Sequence, residues 1–235
     1  MAARVGAFLL LVSPTRAEWT LAAYFGGAHT AQASLQLQAP HASTNLSIQP
    51  VSYQTKPFQS PLYYGYRAGY FFSPHFGLEG EFTHLKVYAE TGPIAQISGT
   101  LQGVPISESA PLNSVVQRFN ITHGVNLILA NFVARKAFRQ VASPARFLLS
   151  GRVGLGLTIP HAENEVLGIS NLEHYQVGQP AWQLGAGLEV RLWRRLYAGG
   201  EVKYTRTRQN VDIAQGTAES LLKSAHGIAG FAWHF

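Results

Sequence analysis

Read in steps of two, the chain separates apolar from polar positions in eight places, the period of a β-strand with one greasy face. The sharpest is 62–72, where Leu62, Tyr64, Tyr66, Ala68, Tyr70 and Phe72 oppose Gly65, Arg67 and Gly69. Over 146–159, Phe147, Leu149, Val153, Leu155, Leu157 and Ile159 oppose Ser150, Arg152, Gly154, Gly156 and Thr158. Over 181–193, Trp182, Leu184, Ala186, Leu188, Val190 and Leu192 oppose Gln183, Gly185, Gly187, Glu189 and Arg191. Weaker runs predict strands over 18–30 (Trp19, Leu21, Ala23, Phe25) and 76–88 (Phe76, Leu78 and Phe82 against Glu79 and Glu81). Two more fall at 117–131 (Phe119, Ile121, Val125, Leu127 and Leu129 apolar) and 196–208 (Val202 and Tyr204 against Glu201 and Lys203). The last run, 227–235, reads Gly227, Ala229, Phe231, Trp233 and Phe235 on one face.

Connection lengths alternate. Ser73-Pro74-His75 and Arg194-Arg195 are tight, and 132–145 is of middling length. The joins at 31–61, 89–116, 160–180 and 209–225 are long and polar. Long loops at one end and short turns at the other predict a closed, eight-stranded, antiparallel, up-and-down transmembrane β-barrel of the all-β class.

Alternation alone does not say which face points out. A soluble barrel would turn its apolar face inward, around a ligand. Here the opposite face is rich in Gly and sparse in charge, a poor solvated surface, and its charges balance. Arg67, Arg152, Arg191 and Lys203 match Glu79, Glu81, Glu189 and Glu201. A narrow barrel must fill its lumen with side chains, and small positions plus paired long ones do so. The apolar face therefore points outward to lipid, and the eight charged residues form a lumen network, either structural or a gate.

Composition agrees with this reading. Charged residues are 13% of the chain, about half the usual share. With no Cys, disulfides, thiolate metal sites and a lipid anchor on Cys are excluded. The formal charge of +6 comes without a basic helix or a recognition motif, so nucleic acid is not an expected partner. Residues 1–17 combine Arg4, an apolar core from Val5 to Val12 and the small-residue site Thr15-Arg16-Ala17. They are read as a secretory signal peptide, leaving 18–235 as the barrel.

The final residues, Gly230-x-x-Trp233-x-Phe235 with Phe231 between, resemble the C-terminal sorting signal of bacterial outer-membrane barrels; Ile228 stands where a polar residue is usual. Together with the leader, the strands, the long loops and the paired lumen charges, they make the chain similar to the OmpA/OmpX-type small barrels. Unlike in full-length OmpA, a soluble cell-wall-binding domain after the barrel is not expected. The resemblance implies a bacterial outer-membrane location, with long loops extracellular and both termini periplasmic. It also implies outer-membrane lipid around a monomer, and the barrel-assembly machinery as partner of the terminal strand.

Candidate chemistry is sparse. His41-Ala-Ser43, with Asn45 nearby, resembles the lipid A deacylase type, but no acid lies between residues 19 and 78. His161, Glu163, Glu165, Glu173 and His174 could gather at a loop rim without a defined ligand spacing. His123 is read onto the outward face. Arg135, Lys136, Arg139, Arg146, Arg194 and Arg195 form a basic group at the short-turn rim, against head-group phosphates. No catalytic residue, metal or cofactor is expected. The expected role is non-enzymatic display, with Tyr53, Phe58, Tyr63, His161 and Tyr175 among the loop residues meeting an unknown ligand. A narrow gated ion channel or, less favoured, a lipid A-modifying barrel are the alternatives.

Overall fold

The computed structural model describes residues 17–138 and 145–235; residues 1–16 of the expected signal peptide, and Arg139, lie outside them. The chain opens with β1 (Glu18–Thr30), then makes a first excursion through β2 (Ala33–Ala39), β3 (Thr44–Val51) and β4 (Tyr53–Gln54). Strands β5 (Tyr64–Phe71) and β6 (Phe76–His84) follow. The second excursion holds β7 (Val87–Ala89), β8 (Ile94–Leu101), β9 (Val104–Pro111) and β10 (Val116–Ile121). After β11 (Leu127–Phe138) and β12 (Phe147–Thr158), a third carries β13 (Glu163–Val166) and β14 (Ile169–Ser170). Strands β15 (Pro180–Trp193), β16 (Leu196–Ile213) and β17 (Gly216–His234) finish the chain.

Among the described residues, eight antiparallel strands close the barrel in the order β1-β5-β6-β11-β12-β15-β16-β17. β17 returns to β1 with Trp233 opposite Leu21 and Phe231 opposite Ala23. Closure leaves no backbone edge unpaired, the condition for sitting in hydrocarbon. The outer face is apolar throughout this belt: Leu155 is 69% exposed, Val202 68% and Phe25 60%. Aromatic pairs rim it at both ends. Trp19 packs on Tyr70 (centroids 4.9 Å) and Phe76 on Phe132 (5.7 Å) at the short-turn end, and Trp182 on Tyr204 (5.5 Å) near the other.

Above that belt the outer surface changes character along a single strand. On β16 the even positions run Val202, Tyr204, Arg206, Arg208, Asn210 and Asp212, apolar then charged or polar. Arg206 lies opposite Lys223 on β17, where the outward face changes from Ala225 to Lys223. The membrane boundary is therefore written at the same level on both strands.

The strand predicted over 117–131 is corrected in position and in face. β10 ends at Ile121, and the barrel strand β11 starts at Leu127. Phe119, Ile121, Val125, Leu127 and Leu129 are buried, while Ile128 and Phe132 face outward. The predicted loop 209–225 is likewise a continuation of β16 and β17, paired down to Ile213–Gly216. A strand needs only about 9–11 residues to span a bilayer, so these two, at 18 and 19 residues, rise beyond it.

The remaining joins fold onto this tall hairpin. β17 pairs β2 (Ser220 opposite Leu35), and β3, β8 and β9 extend the sheet from there. β14, β13, β10, β7 and β4 form a second sheet. Leu35, Leu37, Leu46, Ile48 and Ile97 of the first sheet share one buried apolar cluster with Val87, Val116, Phe119 and Ile121 of the second. The long connections thus form a cap with its own core.

Candidate functional site

Three bases and three acids meet in the middle of the lumen, each brought inward by the period of two on its strand. Arg67 on β5 donates to both oxygens of Glu201 on β16 (2.8 Å each) and to Glu81 on β6 (2.9 Å), and lies 3.5 Å from Glu79. Arg152 on β12 pairs with Glu79 (3.3 Å) and with Glu201. Lys203 donates to Glu81 (2.7 Å) and Thr83 (2.9 Å). Tyr24 donates to the same Glu81 oxygen (2.6 Å), and its ring carries the Arg67 guanidinium at 4.6 Å. Asn131 donates to Glu81 (2.9 Å) and Glu79 (3.2 Å), and Gln183 donates to Asn131 (2.7 Å) and to Glu81.

Glycine on the inward face makes room for these long side chains. A methyl at Gly65 would overlap the Tyr24 ring, and one at Gly154 the Asn131 amide. Among the described residues, cavities of about 40 and 30 Å³ lie toward the short-turn end, lined by Arg67, Glu189 and Glu201 and by Arg135, Arg152 and His234 respectively. Each is sized for isolated water rather than for a solute.

Two of the eight residues expected in this network lie apart from it. Glu189 bonds His234 (3.1 Å), which contacts Glu18 (2.5 Å), which pairs with Arg135. Arg191 is half-buried near the end of β15, its backbone N–H bonded to Arg146 (2.9 Å). Arg135 was expected among head groups but points into the lumen, its guanidinium 3.6 Å from the Phe71 ring centroid. The parity of β11 places it there, since Asn131 and Val133 of the same face are buried. Lys136, Arg146, Arg194 and Arg195 are exposed at the short-turn end or just above it. His234 carried a signal that went unused: it alternates with the outward aromatics and so had to point inward.

The terminal residues Phe231, Trp233 and Phe235 lie on the outer face, and the Phe235 N–H donates to Trp19 (2.9 Å). Gly230 lies close against Tyr24, where a side chain would strike the β1 backbone.

In the cap, Tyr53 and Tyr63 are buried rather than displayed. Tyr53 bonds Ser220 (2.7 Å), and Tyr63 bonds His226 (2.9 Å). Burial pushes the Tyr53 phenol up to about 12. Phe58 and Tyr175 are exposed. His41 and Ser43 lie on and beside a short 3-10 turn, and among the described residues their side chains do not hydrogen-bond one another. The rim residues sort differently from their spacing. Glu165 pairs with Arg118 (3.4 Å), and His174 lies 3.6 Å from Asp212. His161 and Glu163 meet His123, which sits in the turn before β11 and not on the lipid face.

A closed barrel with an apolar outer belt and a polar, ion-paired lumen defines a transmembrane β-barrel. The family model of the outer membrane protein beta-barrel domain matches residues 19–235, and the chain belongs to that family. It is an outer-membrane barrel protein, with lipid as its surroundings. No curated protein matches the chain. Among solved structures, the outer membrane protein OprG from Pseudomonas aeruginosa superposes at a TM-score of 0.49 with 8% identity, covering 94% of this chain and 97% of that one. Neisserial surface protein A superposes at 0.42 with 10% identity (93% and 97% covered). The outer membrane protease OmpT from Escherichia coli superposes at 0.46 with 9% identity (97% and 99% covered).

Proposed function

We propose that this protein is a non-enzymatic display barrel, whose closed lumen anchors a rigid folded cap at the cell surface. The observation that carries this reading is the cap itself. Its strands hydrogen-bond to the barrel hairpin and share a buried apolar core, so the exposed residues are held in fixed positions. Fixed surface loops on a rigid scaffold are suited to recognition. Phe58, Leu172, Tyr175 and Val177 are exposed there, together with strand β9. In this reading residues 1–17 are removed as a signal peptide, the cap is extracellular and both termini are periplasmic. The protein acts as a monomer, and Gly230, Phe231, Trp233 and Phe235 address it to the assembly machinery.

Because the chain lacks Cys, single cysteines test the orientation cleanly. Ser107→Cys on β9 should react with an impermeant maleimide on intact cells, while Ser73→Cys in the β5–β6 turn should react only after lysis. The reverse pattern would discard surface display.

The lumen cavities support a second reading, a narrow ion path opened when ion pairs exchange partners. Planar-bilayer recordings separate the two. Display predicts a silent wild-type protein, whereas steady wild-type conductance altered by Arg152→Ala would establish the channel.

A further inference from the structure

Beyond display, we infer that His123, His161 and Glu163 form a site for a borderline divalent metal ion of the zinc class at the base of the cap. One ligand atom from each lies within 4.8 Å of the others. The His123 and His161 rings sit 4.6 Å apart, edge to face, and His123 Nδ1 is 3.3 Å from the Glu163 carboxylate. Two imidazoles and one carboxylate form a donor set that suits Zn²⁺ and leaves a coordination position open to water.

The backbone holds these residues in place without a metal. Glu163 is set by the β10–β13 ladder, opposite Asn120. His161 bridges Tyr175, whose ring lies 4.7 Å away, and the His161 backbone N–H donates to the Gly124 carbonyl (3.3 Å). His123 stands beside Gly124, whose φ of +95° puts a tight turn there, and a side chain at Gly124 would strike His84. Thr122 contacts both Glu163 and His123 Nδ1 (3.2 Å), which holds the two side chains side by side without a metal.

A second, independent feature points to a ligand. Among the described residues, Nδ1 of His161 is buried without a hydrogen-bond partner. A buried nitrogen left unsatisfied is unusual in a folded protein, and a metal bound at it would satisfy it. Such an ion would tie the turn before β11 to the connection entering β13, linking the second and third excursions at the barrel mouth.

The test uses the full chain folded in detergent micelles, stripped with chelator and titrated calorimetrically with Zn²⁺. One equivalent should bind, and Mg²⁺ should not compete, since it prefers oxygen ligands. His123→Ala, His161→Gln and Glu163→Gln should each weaken binding at least about tenfold. Each variant is checked for folding by its unboiled gel mobility. His174→Ala, which removes the neighbouring imidazole paired with Asp212, should leave binding unchanged. Co²⁺ bound to the wild type should show the visible absorption of a low-coordinate site, lost in His161→Gln. No zinc binding, or wild-type affinity in a folded triple variant, overturns the site. An equal loss in His174→Ala overturns it as well, because it would mean diffuse surface binding.

Discussion

The interior of this molecule is built in two opposite ways, one above the other. At membrane level it holds Arg67, Arg152 and Lys203 against Glu79, Glu81 and Glu201. A few residues higher it holds Leu35, Leu37, Ile48, Phe119, Val211 and Ile213. The strands run through both levels without changing which positions point inward. On β16, Glu201, Lys203, Thr205, Thr207, Gln209, Val211 and Ile213 are all buried. What changes is the medium outside. Lipid demands an apolar exterior and leaves the polar residues for the lumen, whereas water permits the ordinary arrangement of apolar inside and charged outside. The two cores consequently differ in what holds them. In the lumen stability rests on every charge keeping its partner, and in the cap on buried area and close packing.

The largest expected effect is in the lumen. Glu81→Ala leaves Lys203 buried without its carboxylate, which should cost about 3–5 kcal/mol. Replacing both, Glu81→Leu with Lys203→Met, should cost less than the single change, because no charge is left stranded. Urea midpoints in micelles, followed by gel mobility, decide it, and a double variant no better than the single would refute the balance account.

In the cap, Leu37→Ala should cost about 2–5 kcal/mol, but locally. Proteolysis of residues 31–61 should begin at lower urea while the unboiled barrel band keeps its mobility. Simultaneous loss of both would show that cap and barrel are a single cooperative unit.

The boundary between the regions can be probed on one face of one strand. Val202→Arg should cost about 2–4 kcal/mol in lipid, and Asn210→Arg, eight positions higher on the same face, within about 0.5 kcal/mol. Equal costs would move the membrane boundary. A subtler test concerns Tyr53. Losing its hydroxyl in Tyr53→Phe should cost about 1 kcal/mol. Its folded phenol is raised from 10 to about 12, so its contribution is complete below pH 10 and is lost as pH rises toward 12. Cap proteolysis across that range should be less pH-dependent in Tyr53→Phe than in the wild type.

Much of the barrel was legible because lipid enforces a strict pattern. Leu149, Val153, Leu155 and Leu157 had to face one way, and Arg152 the other. The cap was far less legible. Leu35-Gln36-Leu37 and Leu46-Ser47-Ile48 also alternate, but over too few residues, beside Pro40 and Pro50, to distinguish strand from loop. The run from Phe119 to Leu129 misled for a related reason. Its odd positions are apolar because they enter the cap core and the top of the lumen, so a membrane reading turned them inside out. The pairing of Glu189 with His234, and the gathering of His123 with His161 and Glu163, join segments far apart in the chain, which no local spacing reports.

Sequence by itself determined the closed barrel, its outward face and the balance of charge within. Those follow from local periodicity and from the cost of placing a charge or an unpaired amide in hydrocarbon. Only the tertiary structure decided which charge meets which, how the long connections fold, and where three metal-binding side chains converge. These depend on cross-strand register and on contacts between distant segments, where one residue of shift exchanges every partner and turns each side chain to the other face.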